Sequence, residues 1–345
     1  MPSIHCRCIR YCAHGDPRKV LSLENTDVDT KLRPTEVLVR WIASSVLPSD
    51  INIVENVYWK KRPAPAFFGS EGCGVVEKVG SAVKSLKVRD HVLMLDTEKG
   101  IWIEYQVVNE KSLYKFDKRV DLITKTTFTA NPATCWMMLK CYVNLVPNDY
   151  VIQNAANSGI GRSTIEIAKA WGIKTINIVR DRPQIDELKA ELKALGADYV
   201  FTEEEFERNG RKFVSQLDRP LLLALSGTGG KSTLRLAACL SYGGTIVVYG
   251  GMSKQPHQIS TSALVFNGIQ MRAVAMGATL MQPKNFEWRK QIFDELQQLC
   301  IEGKLHGQAA DVHQMKDFQI AIERSMAGKH RKQVILLSPD AVNKL

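Results

Sequence analysis

Apolar positions along this chain change their period once. Over residues 1 to about 123 they come in short runs: 36–46 contains Val37-Leu-Val-Arg-Trp-Ile, 72–83 is rich in glycine and valine, and 90–95 is a further short run. Runs of that length, rich in β-branched residues and bounded by turn formers, predict strands. From about 124 to 309, strand and helix periods alternate. An apolar run at 150–152 leads to Thr164, Ile167, Ala168 and Trp171 at helical spacing, with Gly172 as a helix stop, and 175–179 is β-branched again. Ile185, Leu188, Leu192 and Leu195 mark a second helical face that ends at Gly196. Further strands are predicted at 199–202, 220–226, 245–249 and 269–274, with a helix at 232–240. Alternation of this kind predicts a parallel sheet with helices on both faces. The last stretch, about 310 to 345, carries one helix (318–326) and one strand (333–337) that would return to the first domain.

Between the strand at 150–152 and its helix lies a turn of small residues, Ser158, Gly159 and Gly161, preceded by Asn157. Strand, tight turn, helix and strand place an anion at a helix N-terminus, where unpaired N–H groups and the helix dipole face it. The turn departs from G-x-G-x-x-G, because only Gly159 and Gly161 are glycine. An ordinary glycine-bearing loop explains a glycine pair alone; the flanking elements favour a dinucleotide. At the end of the second strand Asp181 sits between Arg180 and Arg182. An acid there suits the ribose 2′-OH of NAD and an arginine suits the 2′-phosphate of NADP, so the position alone is ambiguous. Two guanidiniums can clamp a phosphate that a lone aspartate would repel, which favours NADPH over a merely solvated loop.

Composition narrows the classes. The 345 residues are 45% hydrophobic and 24% charged, ordinary for a globular chain with room for two domains. No apolar run approaches the ~18 residues of a membrane span. The net charge of +10 fits an anionic partner such as a phosphorylated cofactor, coenzyme A or an acidic carrier protein. It fits nucleic acid by charge as well, but no Lys/Arg-rich low-complexity tract or Gly-Phe RNA signature accompanies it. Eight cysteines are scattered without a C-x-x-C pair, so reduced thiols in an intracellular compartment are expected rather than disulfides or zinc. Arg7 and Arg10 precede the first acid, Asp16, yet the segment is too short and strand-like for a clear transit peptide. Ser226-Gly-Thr-Gly-Gly-Lys-Ser-Thr233 resembles a P-loop, but Leu225 stands where that motif needs its first glycine.

Four segments together resemble the medium-chain dehydrogenase/reductase superfamily: Gly69-Ser-Glu-Gly-Cys-Gly-Val-Val-Glu-Lys-Val-Gly80, Asp90-His-Val, Asn157-Ser-Gly-Ile-Gly161 and Leu195-Gly-Ala-Asp198. More specifically the chain resembles the mitochondrial 2-enoyl thioester reductases, which act on trans-2-enoyl-CoA or enoyl-acyl-carrier-protein. That closer likeness is carried by His14-Gly-Asp-Pro17, Pro48-Ser-Asp-Ile-Asn52, Val151-Ile-Gln-Asn154, Ile176-Asn-Ile-Val-Arg-Asp-Arg-Pro183, Gly229-Gly-Lys-Ser232 and Tyr249-Gly-Gly-Met-Ser-Lys-Gln-Pro256. It implies a GroES-like, β-rich catalytic domain at 1–123 and 310–345 and a Rossmann-like, doubly wound NADPH-binding domain at 124–309. It further implies a homodimer, a mitochondrial matrix location with the cytoplasm left open, and no membrane partner.

The resemblance also implies roles. Zinc-dependent superfamily members carry cysteine and histidine where Leu47 and Ser70 stand here, and the lobe of four clustered cysteines is missing, so no metal is expected. Tyr58 is the implied acid: a phenol of pKa about 10 is protonated at neutral pH and can supply the proton an enolate-like intermediate needs. Without the resemblance Tyr58 reads as an ordinary loop tyrosine. Asn131 is implied beside the nicotinamide, and Asn157, Ser158, Gly159 and Ile160 around the diphosphate. Arg180, Asp181 and Arg182 are implied around the adenosine ribose and its phosphate, and Lys332 reaching across the cleft. Tyr249, Gly250, Gly251 and Met252, with Val274, Ala275 and Met276, are implied as the lining of the ring pocket. The chain departs from the family pattern by lacking aromatic bulk at 273–276 and by the basic run Lys60, Lys61 and Arg62, which either meets an anionic substrate or is simply solvated. Two alternatives stand beside this reading: a zinc-free quinone-oxidoreductase-like enzyme, and a non-catalytic NADPH- or RNA-binding regulator.

Overall fold

The computed structural model describes residues 3–59, 61–95, 99–328 and 331–338. These form two compact units, one from 1–130, 283–301 and 307–345, the other from 131–282 and 302–306. The division and the expected limits at 124 and 309 differ over 124–130, 283–301 and 307–309. The reason is packing: Phe293, on the helix Phe286–Ile301, meets Tyr114 and Phe128 edge-to-face at 5.2 and 5.4 Å, and Tyr114 donates to Asp294 at 2.7 Å.

The first unit is antiparallel for most of its strands. Ser3–Tyr11 pairs with Leu21–Asp29 and with Ala66–Phe67. A second sheet runs Ala310–Gln314, Lys332–Leu336, Glu36–Ser45, Gly72–Val79, His91–Met94, Leu113–Phe116, and Tyr105–Asn109 also pairs with Glu36–Ser45. The C-terminal strand Lys332–Leu336 thus returns to pair antiparallel with Glu36–Ser45. Tyr11, Trp41, Phe68 and Trp102 lie fully buried in its core, where Phe68 and Trp102 stack edge-to-face at 5.3 Å.

The second unit is a parallel sheet ordered Tyr199–Thr202, Lys174–Val179, Tyr150–Gln153, Leu221–Ser226, Thr245–Val248, Gln270–Ala273. In chain order that is 3-2-1-4-5-6, the dinucleotide-binding arrangement, and its switch point falls between Tyr150–Gln153 and Leu221–Ser226. Strands covered on both faces are continuous apolar runs, and Tyr150–Gln153 is buried throughout. Among the described residues no helix is long and apolar enough to cross a membrane.

Candidate active site

In the second unit the turn at 154–161 is built from below by buried polar side chains. Gln153 donates to the Gly161 carbonyl at 2.9 Å and to the Asn177 side chain at 2.7 Å, tying the turn to the neighbouring strand. Asn154 spans the switch point: its amide nitrogen donates to Ser226 and Ser232 at 3.2 and 3.0 Å, and its oxygen accepts from the Gly227 N–H at 2.8 Å. Ser158 caps the helix Gly159–Ala170 by accepting from the Gly161 N–H at 3.2 Å. A side chain on Gly161 would place its Cβ 2.4 Å from the Ala156 carbonyl oxygen, so glycine is required for the start of the helix to fold back this closely on the turn. Arg162 braces the turn, donating to the Asn157 carbonyl at 3.2 Å while its guanidinium pairs with both Glu191 oxygens at 2.9 Å. Cys135, on the helix Asn131–Lys140, donates to the Ile160 carbonyl at 3.2 Å, and burial pushes its thiol up to about 12. Helix N-terminus, cap and small residues leave backbone donors facing outward for an anion.

Tyr249 leans over the same turn. Its ring lies where a Cβ on Gly227 would sit, 2.5 Å away, so the ring can rest there only because that residue is glycine. Its hydroxyl faces Ser158 but completes no well-formed hydrogen bond among the described residues, and burial raises its pKa. A buried donor without a partner costs about 1–3 kcal/mol. Acceptor oxygens of a bound diphosphate would relieve that cost, so this cradle fits such a group. The backbone places the rest of the loop, because Tyr249 donates to the Ser226 carbonyl at 3.0 Å and Met252 to that of Gly227 at 3.1 Å. Gly250 is half-buried, and Gly251 and Met252 are exposed. Val274 is buried, Met276 half-buried and Ala275 exposed, just beyond Ala273, whose carbonyl accepts from Tyr142 at 2.8 Å. Arg180, Asp181 and Arg182 are all exposed at the end of Lys174–Val179, and neither guanidinium forms an ion pair among the described residues. Asn131, half-buried, begins the helix that packs on Gly159–Ala170.

The P-loop-like segment is accounted for differently. Ser232 is held by Asn154 and donates to Glu203 at 3.3 Å, while the Thr233 hydroxyl lies 2.9 Å from both Ser226 and His257. Hydroxyls used in this way hold the switch point together and are not presented to a metal-bound triphosphate.

Tyr58 and Lys332 belong to the first unit. The helix Pro48–Val54 is anchored by Asp50, whose carboxylate accepts from the Leu47 N–H at 2.9 Å and from the Ser70 hydroxyl at 2.7 Å. After the helix the chain turns through Asn56 at φ 60°, and the N–H groups of Val57 and Tyr58 both donate to the Asn52 carbonyl, at 2.9 and 3.1 Å. That bifurcated bond fixes the backbone of Tyr58, whose half-buried ring packs on the core and lies 6.1 Å from the ring of Trp59. Lys61 donates to the Asn56 carbonyl, Arg62 lies over the Phe68 ring at 5.6 Å, and Lys60 lies outside the described residues.

Pattern reading alone missed Asp50 and Glu71, both fully buried. Burial pushes Asp50 up to about 6 despite its two donors. Glu71 accepts from Ser45 at 2.6 Å and from the Ala130 N–H at 2.7 Å. Lys332 starts the strand Lys332–Leu336 beside these two carboxylates, which oppose the lowering that burial imposes on its ammonium. Leu47 and Ser70, the positions expected of zinc ligands in relatives, thus serve the Asp50 anchor. Among the described residues no group of three or more His, Cys, Asp or Glu side chains could hold a metal ion.

Fold and site define a class, the two-part medium-chain dehydrogenase/reductases. The alcohol dehydrogenase GroES-like domain pattern matches residues 33–118, and the zinc-binding dehydrogenase pattern matches 159–295. The mitochondrial enoyl-[acyl-carrier-protein] reductase of Caenorhabditis elegans is 43% identical over 98% of this chain and 98% of its own length. The Homo sapiens enzyme of that name is 40% identical over 93% of this chain and 85% of its own. The chain belongs to the mitochondrial enoyl-[acyl-carrier-protein] reductase family. Among solved structures, the Etr1p/NADP/crotonyl-CoA complex superimposes with a TM-score of 0.89 at 30% identity, covering 96% of this chain and all of that one. A putative NADPH:quinone reductase of Bacillus thuringiensis shares the fold, with a TM-score of 0.85 at 22% identity.

Proposed function

We propose that this protein reduces the Cα–Cβ double bond of 2-enoyl thioesters with NADPH, giving saturated acyl thioesters for fatty acid synthesis. The observation that carries the reading is the full-length likeness to enoyl-[acyl-carrier-protein] reductases, joined to a Tyr58 whose backbone is clamped on Asn52. NADPH, held by the residues of the 154–161 turn, would supply the hydride for Cβ when bound. The thioester then carries enolate-like charge, and the Tyr58 hydroxyl gives its proton to Cα, with the phenolate reprotonated from water. In this reading 124–309 carries the cofactor and 1–123 with 310–345 carries the acid. Asn157, Ser158, Gly159 and Ile160 hold the diphosphate, and Tyr249 lends its hydroxyl. Arg180 and Arg182 take the 2′-phosphate with Asp181 by the ribose, while Asn131, Gly250, Gly251, Met252, Val274, Ala275 and Met276 line the nicotinamide side and Lys332 completes the set.

The proposal includes no metal, because Leu47 and Ser70 are poor ligands already engaged in holding Asp50. The substrate carrier is coenzyme A or acyl carrier protein; relatives are named for the latter, and one is solved with crotonyl-CoA. Mitochondrial residence follows the relatives' names. Incubation of the protein with crotonyl-CoA and NADPH, followed by mass spectrometry, should yield butyryl-CoA in amounts equal to the NADPH consumed. Reduction of a quinone with no butyryl-CoA formed would move the assignment to the quinone reductases that share this fold.

A further inference from the structure

Tyr58, the proton donor of the proposed reaction, stands between two apolar side chains that the fold leaves in water: Val57 is 68% exposed and Trp59 59%. Tyr58 itself is half-buried, with its ring on the core of the first unit. The backbone imposes this arrangement. The Val57 and Tyr58 N–H groups share the Asn52 carbonyl, the chain turns through Asn56 at φ 60°, and the Lys61 ammonium donates to the Asn56 carbonyl. The segment 56–61 is thereby closed at its base, and Trp59 is carried on it away from the core. Its ring centroid lies 6.1 Å from that of Tyr58 with the planes inclined at 48°, so the indole sits beside the phenol and does not cover it. Exposed apolar side chains scattered singly are ordinary. These two flank the group assigned to meet the substrate.

A 2-enoyl thioester bound with Cα at the Tyr58 hydroxyl sends two chains away from that point, the carrier arm on the thioester side and the acyl tail beyond Cβ. The carrier arm contains amides, which leave water without loss only where hydrogen-bond partners replace it. The Val57 side chain has no donor or acceptor, and Trp59 has one N–H and no acceptor. The acyl tail is hydrocarbon and gains from apolar area alone. The pair therefore suits the tail.

We propose that Trp59, with Val57 beside it, is a specificity-determining contact for the acyl tail, so that long 2-enoyl thioesters are preferred over crotonyl. The inference rests on the enoyl reductase reading above and adds the class of acyl chain. Each tail methylene fully covered there is worth up to roughly a fourfold gain in kcat/KM.

The test compares kcat/KM for trans-2-decenoyl-CoA with that for crotonyl-CoA, using NADPH and the whole protein. The native protein should favour decenoyl-CoA by at least about tenfold, and Trp59→Ala should lower that ratio at least about tenfold, with the loss falling on KM for decenoyl-CoA. Trp59→Phe keeps a ring and should restore most of the ratio. Because the side chain is largely exposed, thermal stability and the Kd for NADPH should match the native values in both variants. A native protein that does not favour decenoyl-CoA, a ratio unchanged in Trp59→Ala, or an equal loss with both substrates overturns the inference and leaves the enoyl reductase reading standing. Failure of the native protein to reduce crotonyl-CoA and decenoyl-CoA alike removes that reading and the inference with it.

Discussion

Arg180 and Arg182 flank Asp181 at the end of a parallel strand, exposed and free of ion pairs among the described residues, so their charge is available to a ligand. A phosphate clamped by two guanidiniums gains charge-assisted bonds of about 1.5–3 kcal/mol each, whereas a bare ribose gains none. Replacing both arginines by alanine should therefore raise KM for NADPH by roughly a hundredfold and leave KM for NADH nearly unchanged. Steady-state kinetics with the two cofactors checks this, and an equal effect on both would remove the phosphate role. Tyr58 presents a different case at the same scale. Its backbone is held by the Asn52 carbonyl, so truncating the hydroxyl alone leaves the fold of that segment intact.

Elements in this protein are joined by buried polar pairs as much as by apolar contacts. His91, on the strand His91–Met94, lies 2.8 Å from the Lys125 ammonium on the helix Leu122–Thr126. Burial first, and then the Lys125 and Lys118 charges, lower the histidine to about 4. Because the folded protein holds this imidazole neutral, its contribution to stability is whole above the ordinary histidine value of about 6.5 and is lost as pH falls from there towards 4. Urea unfolding of His91→Gln should show a shallower loss of stability across pH 6.5 to 4 than the native protein; an unchanged slope would contradict the pairing. Most of the parallel strands were legible because they are apolar runs punctuated by turn residues, and the turn at 154–161 because Ser158 and Gly161 sit between two such runs. The helix Glu203–Val214 was not, since its polar face dominates and only Phe206 and Gly210 are buried, although Thr202 and Glu205 form a capping box at its start. Nor were Asp50 and Glu71, acids within apolar segments, whose burial depends on donors from residues as distant as Ser70 and Ala130. Packing of Phe286–Ile301 with the first unit depends on ring contacts across more than 160 residues of chain, and local periodicity carries no trace of them.

At the scale of the whole molecule, the edge strand Gln270–Ala273 is exposed at every residue, and Val265 and Phe266 nearby are 65% and 75% exposed. An open parallel-sheet edge beside apolar side chains invites pairing with a second copy. Sedimentation at micromolar concentration should give a dimer, and Met271→Lys should shift it to monomer; a monomeric native protein would contradict the pairing. Activity should survive a strong chelator undiminished, because the proposed chemistry uses no metal. Reduction of enoyl thioesters with a proton handed from Tyr58 to Cα is checked by kcat with crotonyl-CoA and NADPH for the native protein and for Tyr58→Phe. A positioned acid contributes ~10²–10⁴-fold, so kcat should fall by that factor while the Kd for NADPH and the thermal stability hold. A Tyr58→Phe protein that turns over crotonyl-CoA at the native rate would contradict the account.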